Sequence, residues 1–162
     1  MRRVLFFVTL FLGLAAVASA QDDSICSAAN LAGQWGYSFS GTIITSAGGV
    51  PMGVVGKATI DAAGNFSVTQ NSSTAGQVSQ NETATGTVTV NSDCTGTMTL
   101  SVTDPAGNVL RKAAWTVVFD DNGTEFRAIM TSLQLGDGTN VPAVVTMAGK
   151  KVSTSTWVLR LL

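Results

Sequence analysis

The sequence predicts an all-β protein, an antiparallel meander of about eight strands closing into a small barrel after an N-terminal signal helix. Three observations predict it. Apolar and polar residues alternate with period 2 in segment after segment beyond residue 20. Turn signals of the form D-x-x-G separate several of those segments. No stretch beyond residue 20 carries the periodicity of an amphipathic helix. A two-sheet sandwich is the competing architecture for such a series of short strands.

The first twenty residues read as a targeting segment. Arg2 and Arg3 form a positive n-region, and Val4 to Val17 an apolar stretch interrupted only by Thr9 and Gly13. Ala18-Ser19-Ala20 supplies the small-x-small cleavage pattern. Residues 1–20 are therefore expected to be a signal peptide and 21–162 a single secreted β-barrel domain. The apolar stretch is shorter than the roughly 20 residues a spanning helix needs, and no second one follows, so no transmembrane segment is expected in the mature chain. Cys26 lies beyond the cleavage point, which disfavours a lipoprotein. The expected localisation is secreted or periplasmic. Without the leader, seven basic residues face ten acidic ones, a net charge of −3. Nucleic acids and anionic membranes call for clustered Lys and Arg, and no such cluster is present.

The elements follow in order. Trp35, Tyr37 and Phe39 alternate with Gln34, Gly36, Ser38 and Ser40, a half-buried strand. Gly48-Gly49 marks a loose turn, and Asp61-Ala-Ala-Gly64 a tight one. An Asp at the first position accepts backbone N–H bonds and a Gly at the fourth tolerates positive φ, which favours a hairpin. Asn71 to Gln80 is polar around Gly76 and reads as the most mobile loop. Strands follow at Thr83–Val90 and Thr97–Thr103, both with threonines on one face. Asp104-Pro-Ala-Gly107 turns the chain into Val109–Phe119, and Asp120-Asp-Asn-Gly123 turns it into Phe126–Met130. Gly136-Asp137-Gly138 precedes Ala143–Ala148, and Thr154–Leu161 is the final predicted strand. Its Trp157, Leu159 and Leu161 match the apolar face of the first strand, so pairing the two would close the barrel and remove both sheet edges. The threonine-rich faces lack the lipid-facing band and aromatic girdles of an outer-membrane barrel.

Residue types narrow the chemistry. The chain has no histidine, which removes Ser-His and Cys-His nucleophiles and His-ligated metals. Asp120, Asp121, Asn122 and Glu125 lack the spacing of a calcium loop and read as a turn, so no metal or cofactor is expected. Asn65, Asn71, Asn81 and Asn122 sit in glycosylation sequons, which chance supplies in so Asn- and Thr-rich a chain. The only two cysteines, Cys26 and Cys94, follow an export signal and lack C-x-x-C spacing, so a structural disulfide is the expectation and a reactive pair the alternative.

The segment Asn30-Leu-Ala-Gly-Gln-Trp-Gly-Tyr-Ser-Phe-Ser-Gly-Thr42 resembles the N-L-x-G-x-Y-G-F-S-x-S-G-T-like opening of a group of secreted bacterial proteins of uncharacterised function. Gly86-Thr-Val-Thr-Val-Asn-Ser-Asp-Cys-Thr-Gly96 is similar to their G-x-Y-T-V-N-x-D-C-T-G-like segment. Trp35 and Val88 stand where those motifs carry tyrosine. The resemblance implies a calycin-like barrel, in the manner of lipocalins and allene oxide cyclases. It brings no active-site residues.

Five residues are candidate ligand contacts: Arg111, Glu82, Trp115, Tyr37 and Trp35. Arg111 shares an alternation face with Ala113, Trp115, Val117 and Phe119, and Glu82 one with Ala84 and Val88. If those faces are internal, a guanidinium with a carboxylate partner could anchor an acidic head group. The simpler expectation is that each is a strand-end charge reaching solvent. For the aromatics, core packing is the simpler expectation and cavity lining the sharper one. Three functions stay open: a secreted barrel binding a small, mostly apolar or acidic ligand; a structural or cell-envelope interaction domain with a filled core; and an isomerase- or cyclase-like enzyme working by confinement. Without histidine the third is the least expected.

Overall fold

The computed structural model describes residues 25–152; the predicted signal peptide with its helix and the predicted strand at Thr154–Leu161 lie outside them. Period-2 alternation becomes eight strands: β1 (Gly33–Thr45), β2 (Gly48–Ile60), β3 (Asn65–Thr74), β4 (Gln77–Val90), β5 (Thr95–Thr103), β6 (Val109–Asp120), β7 (Glu125–Leu135) and β8 (Ala143–Lys151). Each pairs antiparallel with the next, and β8 returns to β1, giving a closed barrel in strict sequence order. The sandwich is thereby excluded.

Two expectations are corrected. The strand that closes the barrel is β8, through the register Trp35↔Lys151 to Ile43↔Ala143. Both edges of β1 are then occupied, since its other side pairs with β2 from Gly33↔Ile60 to Thr45↔Gly48. The seam assigned to Thr154–Leu161 is thus filled by the preceding strand. The second correction concerns the polar stretch at Asn71–Gln80. It is a β3–β4 hairpin, turned by Ala75 (φ 50°) and Gly76 (φ 82°), with Ser72↔Ser79 and Ser73↔Val78 in register. Hydrophobic alternation cannot reveal a strand whose residues are polar on both faces.

The D-x-x-G turns at Asp61 and Asp104 take the expected form. Gly64 and Gly107 donate to the carbonyls of Asp61 and Asp104, both at 3.0 Å, and each Asp carboxylate accepts backbone N–H groups two and four residues on. Both glycines have φ between 84° and 88°. The turn joining β6 to β7 differs: Asp121, Asn122 and Gly123 all take positive φ. Gly123 lies beneath the N-terminal segment, where a Cβ would meet the Ile25 carbonyl and Leu31.

An unexpected match appears at Asn91–Thr95. Cys94 donates to the Asn91 carbonyl at 3.0 Å, and Asn91 to the Thr95 carbonyl at 2.8 Å, the same pattern as at Asp61. Cys94 therefore fills the glycine slot of this turn, at φ 67°. It is bonded to Cys26 with a Cα separation of 5.0 Å, across 68 residues of chain. The bridge fastens the short helix α1 (Ala28–Leu31) across one end of the barrel. Leu31 is fully buried there, and the Trp35 indole N–H donates to its carbonyl at 2.9 Å. Lys151 donates to the Asn30 carbonyl at 2.6 Å and lies 5.9 Å above the Trp35 ring.

Above this closed end the inward side chains pack on each other. Trp35 meets Phe126 at 5.5 Å between ring centroids, Phe39 meets Trp115 at 5.4 Å, and Phe119 meets Phe126 at 6.2 Å. Val68, Val88, Val117, Ala128 and Met147 fill the spaces between them. Among the described residues no helix is long and apolar enough to cross a membrane.

Removing the cross-link separates its two contributions. Cys26→Ser with Cys94→Ser loses roughly 4 kcal/mol of loop-closure stabilisation and also leaves serine in a left-handed turn. Cys26→Ser with Cys94→Gly loses the former only. The glycine form is expected to be about 1 kcal/mol more stable in urea titration. Equal midpoints would show that the turn makes no demand on residue 94.

Candidate functional site

Inward positions change character toward the end of the barrel opposite α1. On β3 the internal face runs Phe66, Val68, Gln70, Ser72, so the strand passes from apolar to polar while staying buried. On β4, Asn81 adopts φ 56° at a bulge between the Gln70↔Glu82 and Ser72↔Ser79 pairs, and its N–H donates to Asn71 Oδ1 at 3.0 Å. Bulges re-aim neighbouring side chains. Here the kinked backbone adjoins Glu82, which is only 2 % exposed.

Glu82 is the hub of a five-residue network. Arg111 Nη2 donates to its Oε2 at 2.7 Å and Nη1 to its Oε1 at 3.3 Å, a two-pronged pair. Gln70 Nε2 donates to Oε2 and Ser72 Oγ to Oε1, both at 2.9 Å. The Tyr37 hydroxyl donates to Gln70 Oε1 at 2.6 Å. Gly56 makes room for this phenol, because a Cβ there would lie 2.6 Å from the Tyr37 hydroxyl oxygen and 2.9 Å from Gln70 Cβ. Strand-end charges reaching solvent, the simpler expectation for Arg111 and Glu82, is therefore corrected. The Arg111 side chain is 17 % exposed and that of Glu82 3 %. The carboxylate outcompetes solvent because four donors meet its two oxygens.

The electrostatics follow from that geometry. Burial pushes the Glu82 carboxyl upward, but hydrogen bonds from Arg111, Gln70 and Ser72, with the guanidinium charge, hold it below its ordinary value. Burial pushes the Tyr37 phenol far above its ordinary value, against the opposing pull of Arg111. Arg111 has five N–H donors and spends two of them on Glu82. The others have no protein acceptor among the described residues. Beside it on the inner wall, Leu135 is paired with Arg111 in register, and both Leu135 and Val109 are exposed at the rim. A partly exposed cation thus sits under an apolar lip.

The remaining candidates divide. Tyr37 joins the polar network, while Trp35 is engaged at the closed end with Leu31 and Phe126. Trp115 lies between these regions, 1 % exposed against Phe39, and its indole N–H has no hydrogen-bond acceptor among the described residues. A buried donor in that condition costs about 1–3 kcal/mol. Sequence reasoning missed Gln70 and Ser72. The continuing two-residue beat of Phe66, Val68, Gln70 and Ser72 was the available signal. A broad depression of about 760 Å³ lies on the outer wall, along Ser38, Ser40, Thr116, Val118, Ile129 and Thr146. It is open, and none of the five residues of the polar network lines it.

No protein-family model matches this chain, and no curated protein does. Among solved structures, the chain is similar in fold to EF1p2_mFAP2b bound to DFHBI, with a TM-score of 0.50 and 14 % identity over 75 % of this chain and 94 % of the other. The redesigned β-barrel mFAP1 bound to DFHBI also matches, with a TM-score of 0.48 and 16 % identity over 77 % and 98 % of the two chains.

Arg111→Met strands the Glu82 carboxylate, and removing one partner of a buried pair typically costs about 3–5 kcal/mol. In the native protein the folded pKa of Glu82 lies below its unfolded value, so its contribution is complete above about pH 4.3 and is lost as pH falls through the folded value. In the variant the hydrogen bonds and charge of the guanidinium are gone while burial remains, so the folded pKa of Glu82 rises relative to that in the native protein. The stability gap between the two proteins should therefore be widest near pH 7 and narrow on acidification, as read by urea titration at each pH. A gap independent of pH would rule out this account. Arg111→Met with Glu82→Leu should recover most of the loss.

Proposed function

We propose that the protein is a secreted or periplasmic, calycin-like barrel that binds a small, mostly apolar acid at the end opposite α1, with Arg111 as the anchor for the anionic group. The observation that carries this is the guanidinium itself: Glu82 fixes it by two prongs, and it keeps unspent donors beside the exposed apolar residues Val109 and Leu135. Such a pairing of one oriented charge with an apolar surround suits an amphipathic anion. A barrel of similar fold, EF1p2_mFAP2b, is a structure with a small molecule bound, which lends the reading support at the level of fold alone. The Cys26–Cys94 bond agrees with an oxidising compartment.

Proton-transfer catalysis fits the same residues less well. A Glu82 carboxylate with four donors on its oxygens has no lone pair free for a substrate proton, and burial makes the Tyr37 phenol reluctant to ionise. Binding uses the network as it stands.

Two fluorescent probes of similar shape test the proposal: 1-anilinonaphthalene-8-sulfonate, which carries an anion, and N-phenyl-1-naphthylamine, which does not. The sulfonate should bind the native protein saturably and lose about tenfold or more in affinity in the Arg111→Met, Glu82→Leu variant. The neutral probe should change by less than about twofold. Equal loss for both, or no saturable binding by the native protein, would favour a filled structural barrel instead.

A further inference from the structure

The depression on the outer wall takes its shape from a floor of small side chains. On the outward face, Ala148 of β8 is paired with Ser38 of β1, and Thr146 with Ser40. Ile129, next to Thr146 in register, and Val118 rise on one side; Val55, paired with Ser38, rises on the other. All three are exposed apolar residues. The result is a trough along β8 and β1 whose one charged lining residue, Arg127, is paired with Asp120 at 3.5 Å. Hydroxyls elsewhere on the wall bond to one another, as Thr87 with Thr99 and Thr89 with Thr97. Those of Ser38, Ser40 and Thr146 have no such partner among the described residues. Apolar flanks around a floor of this kind mark a surface that another segment covers.

The last described residue lies beside this trough. Val152 is 45 % exposed and donates its N–H to the Gln34 carbonyl at 2.8 Å. A Cβ on Gly36 would meet its side chain at 3.9 Å, and Gly36 precedes Ser38 and Ser40 on the outward face of β1. Next in the sequence come Ser153-Thr-Ser-Thr156, four polar residues suited to a reversal. Trp157, Leu159 and Leu161 follow on one alternation face, with Arg160 on the other. This segment has an apolar face to bury, while both sides of β1 are already taken by β2 and β8. The trough offers cover for that face, and its hydroxyls offer hydrogen bonds to an extended backbone. The lengths agree: four strand steps, about 13 Å, separate Gly36 from Ser40 and, in extended form, Trp157 from Leu161.

We propose that residues 157–161 fold back over their own barrel and seat Trp157, Leu159 and Leu161 in this trough, with Arg160 facing solvent. The four-residue tether favours the chain's own wall over that of a second copy, because it makes docking intramolecular at an effective concentration in roughly the millimolar range. The inference uses none of the residues on which the ligand reading rests.

Fluorine NMR of the full chain labelled with 5-fluorotryptophan tests this. Trp157→Phe assigns the Trp157 resonance, and Trp35 and Trp115, each 1 % exposed, serve as buried references. In the native protein the Trp157 resonance should resist broadening by a soluble gadolinium chelate nearly as well as the references do. Ser40→Arg places a bulky charge on the exposed floor. It should make the Trp157 resonance severalfold more sensitive to the chelate while the other two stay unchanged. A native Trp157 as sensitive as free fluorotryptophan, or protection that survives Ser40→Arg, overturns the proposal. Protection lost on dilution, with a dimer seen by sedimentation, also overturns it, by giving the trough to a second copy. Should Ser40→Arg shift the reference resonances and so disturb the fold, Ile129→Lys on the flank replaces it, with the same outcomes.

Discussion

Closure of the sheet is the constraint on which the rest of this molecule depends. With β1 paired on one side to β2 and on the other to β8, the sheet closes on itself and both edges of β1 are satisfied, and the interior becomes a fixed volume. Every inward side chain must then be accommodated by its neighbours. At the end covered by α1 the solution is aromatic packing; at the other it is a hydrogen-bonded ion pair. Glycines mark where the fit is tightest, as at Gly56 beneath the Tyr37 phenol and at Gly149 beneath the Phe126 ring.

A barrel of this size has no need of an internal ion pair. Well-packed apolar side chains of similar volume often stabilise a fold as well or better. Here the carboxylate is fully coordinated and its own stability cost is offset, yet the guanidinium it orients is left partly exposed and incompletely engaged. Gln70, Ser72 and Tyr37 act on Glu82, and Glu82 acts on Arg111. The chain of influence runs outward, toward the residue that faces the rim. The proposed role of Arg111 as the anchor for an anionic group rests on that direction.

The barrel was largely legible in the sequence because period-2 alternation and the D-x-x-G turns are local signals, read within a few residues. The disulfide was legible from the export signal that the sequence predicts and from the cysteine number. Alternation identifies two faces but not which of them is internal, and there the rule that charges lie outside misplaces Glu82 and Arg111. The same rule conceals the β3–β4 hairpin, whose Ser72, Ser73 and Ser79 give no apolar beat. The closing strand was displaced by one element because Thr154–Leu161 has a stronger apolar pattern than Ala143–Lys151, whereas the seam is decided by register with β1. The role of Cys94 in a glycine slot was invisible for another reason: a φ angle leaves no mark in residue type once a covalent bond has taken over the selection.

The bulge at Asn81 carries a consequence for how this protein can change. A strand slipped by one residue exchanges its two faces, so insertions and deletions in most of the wall would turn the core inside out. The extra residue on β4 is a phase break: beyond it, the tip carrying Ala75 and Gly76 keeps its own alternation, out of step with the barrel below. Length and composition can drift in that tip without being transmitted to the wall, provided that Asn81 continues to absorb the mismatch. Diversity among descendants of this chain should therefore collect above the bulge, leaving the cylinder beneath it unchanged.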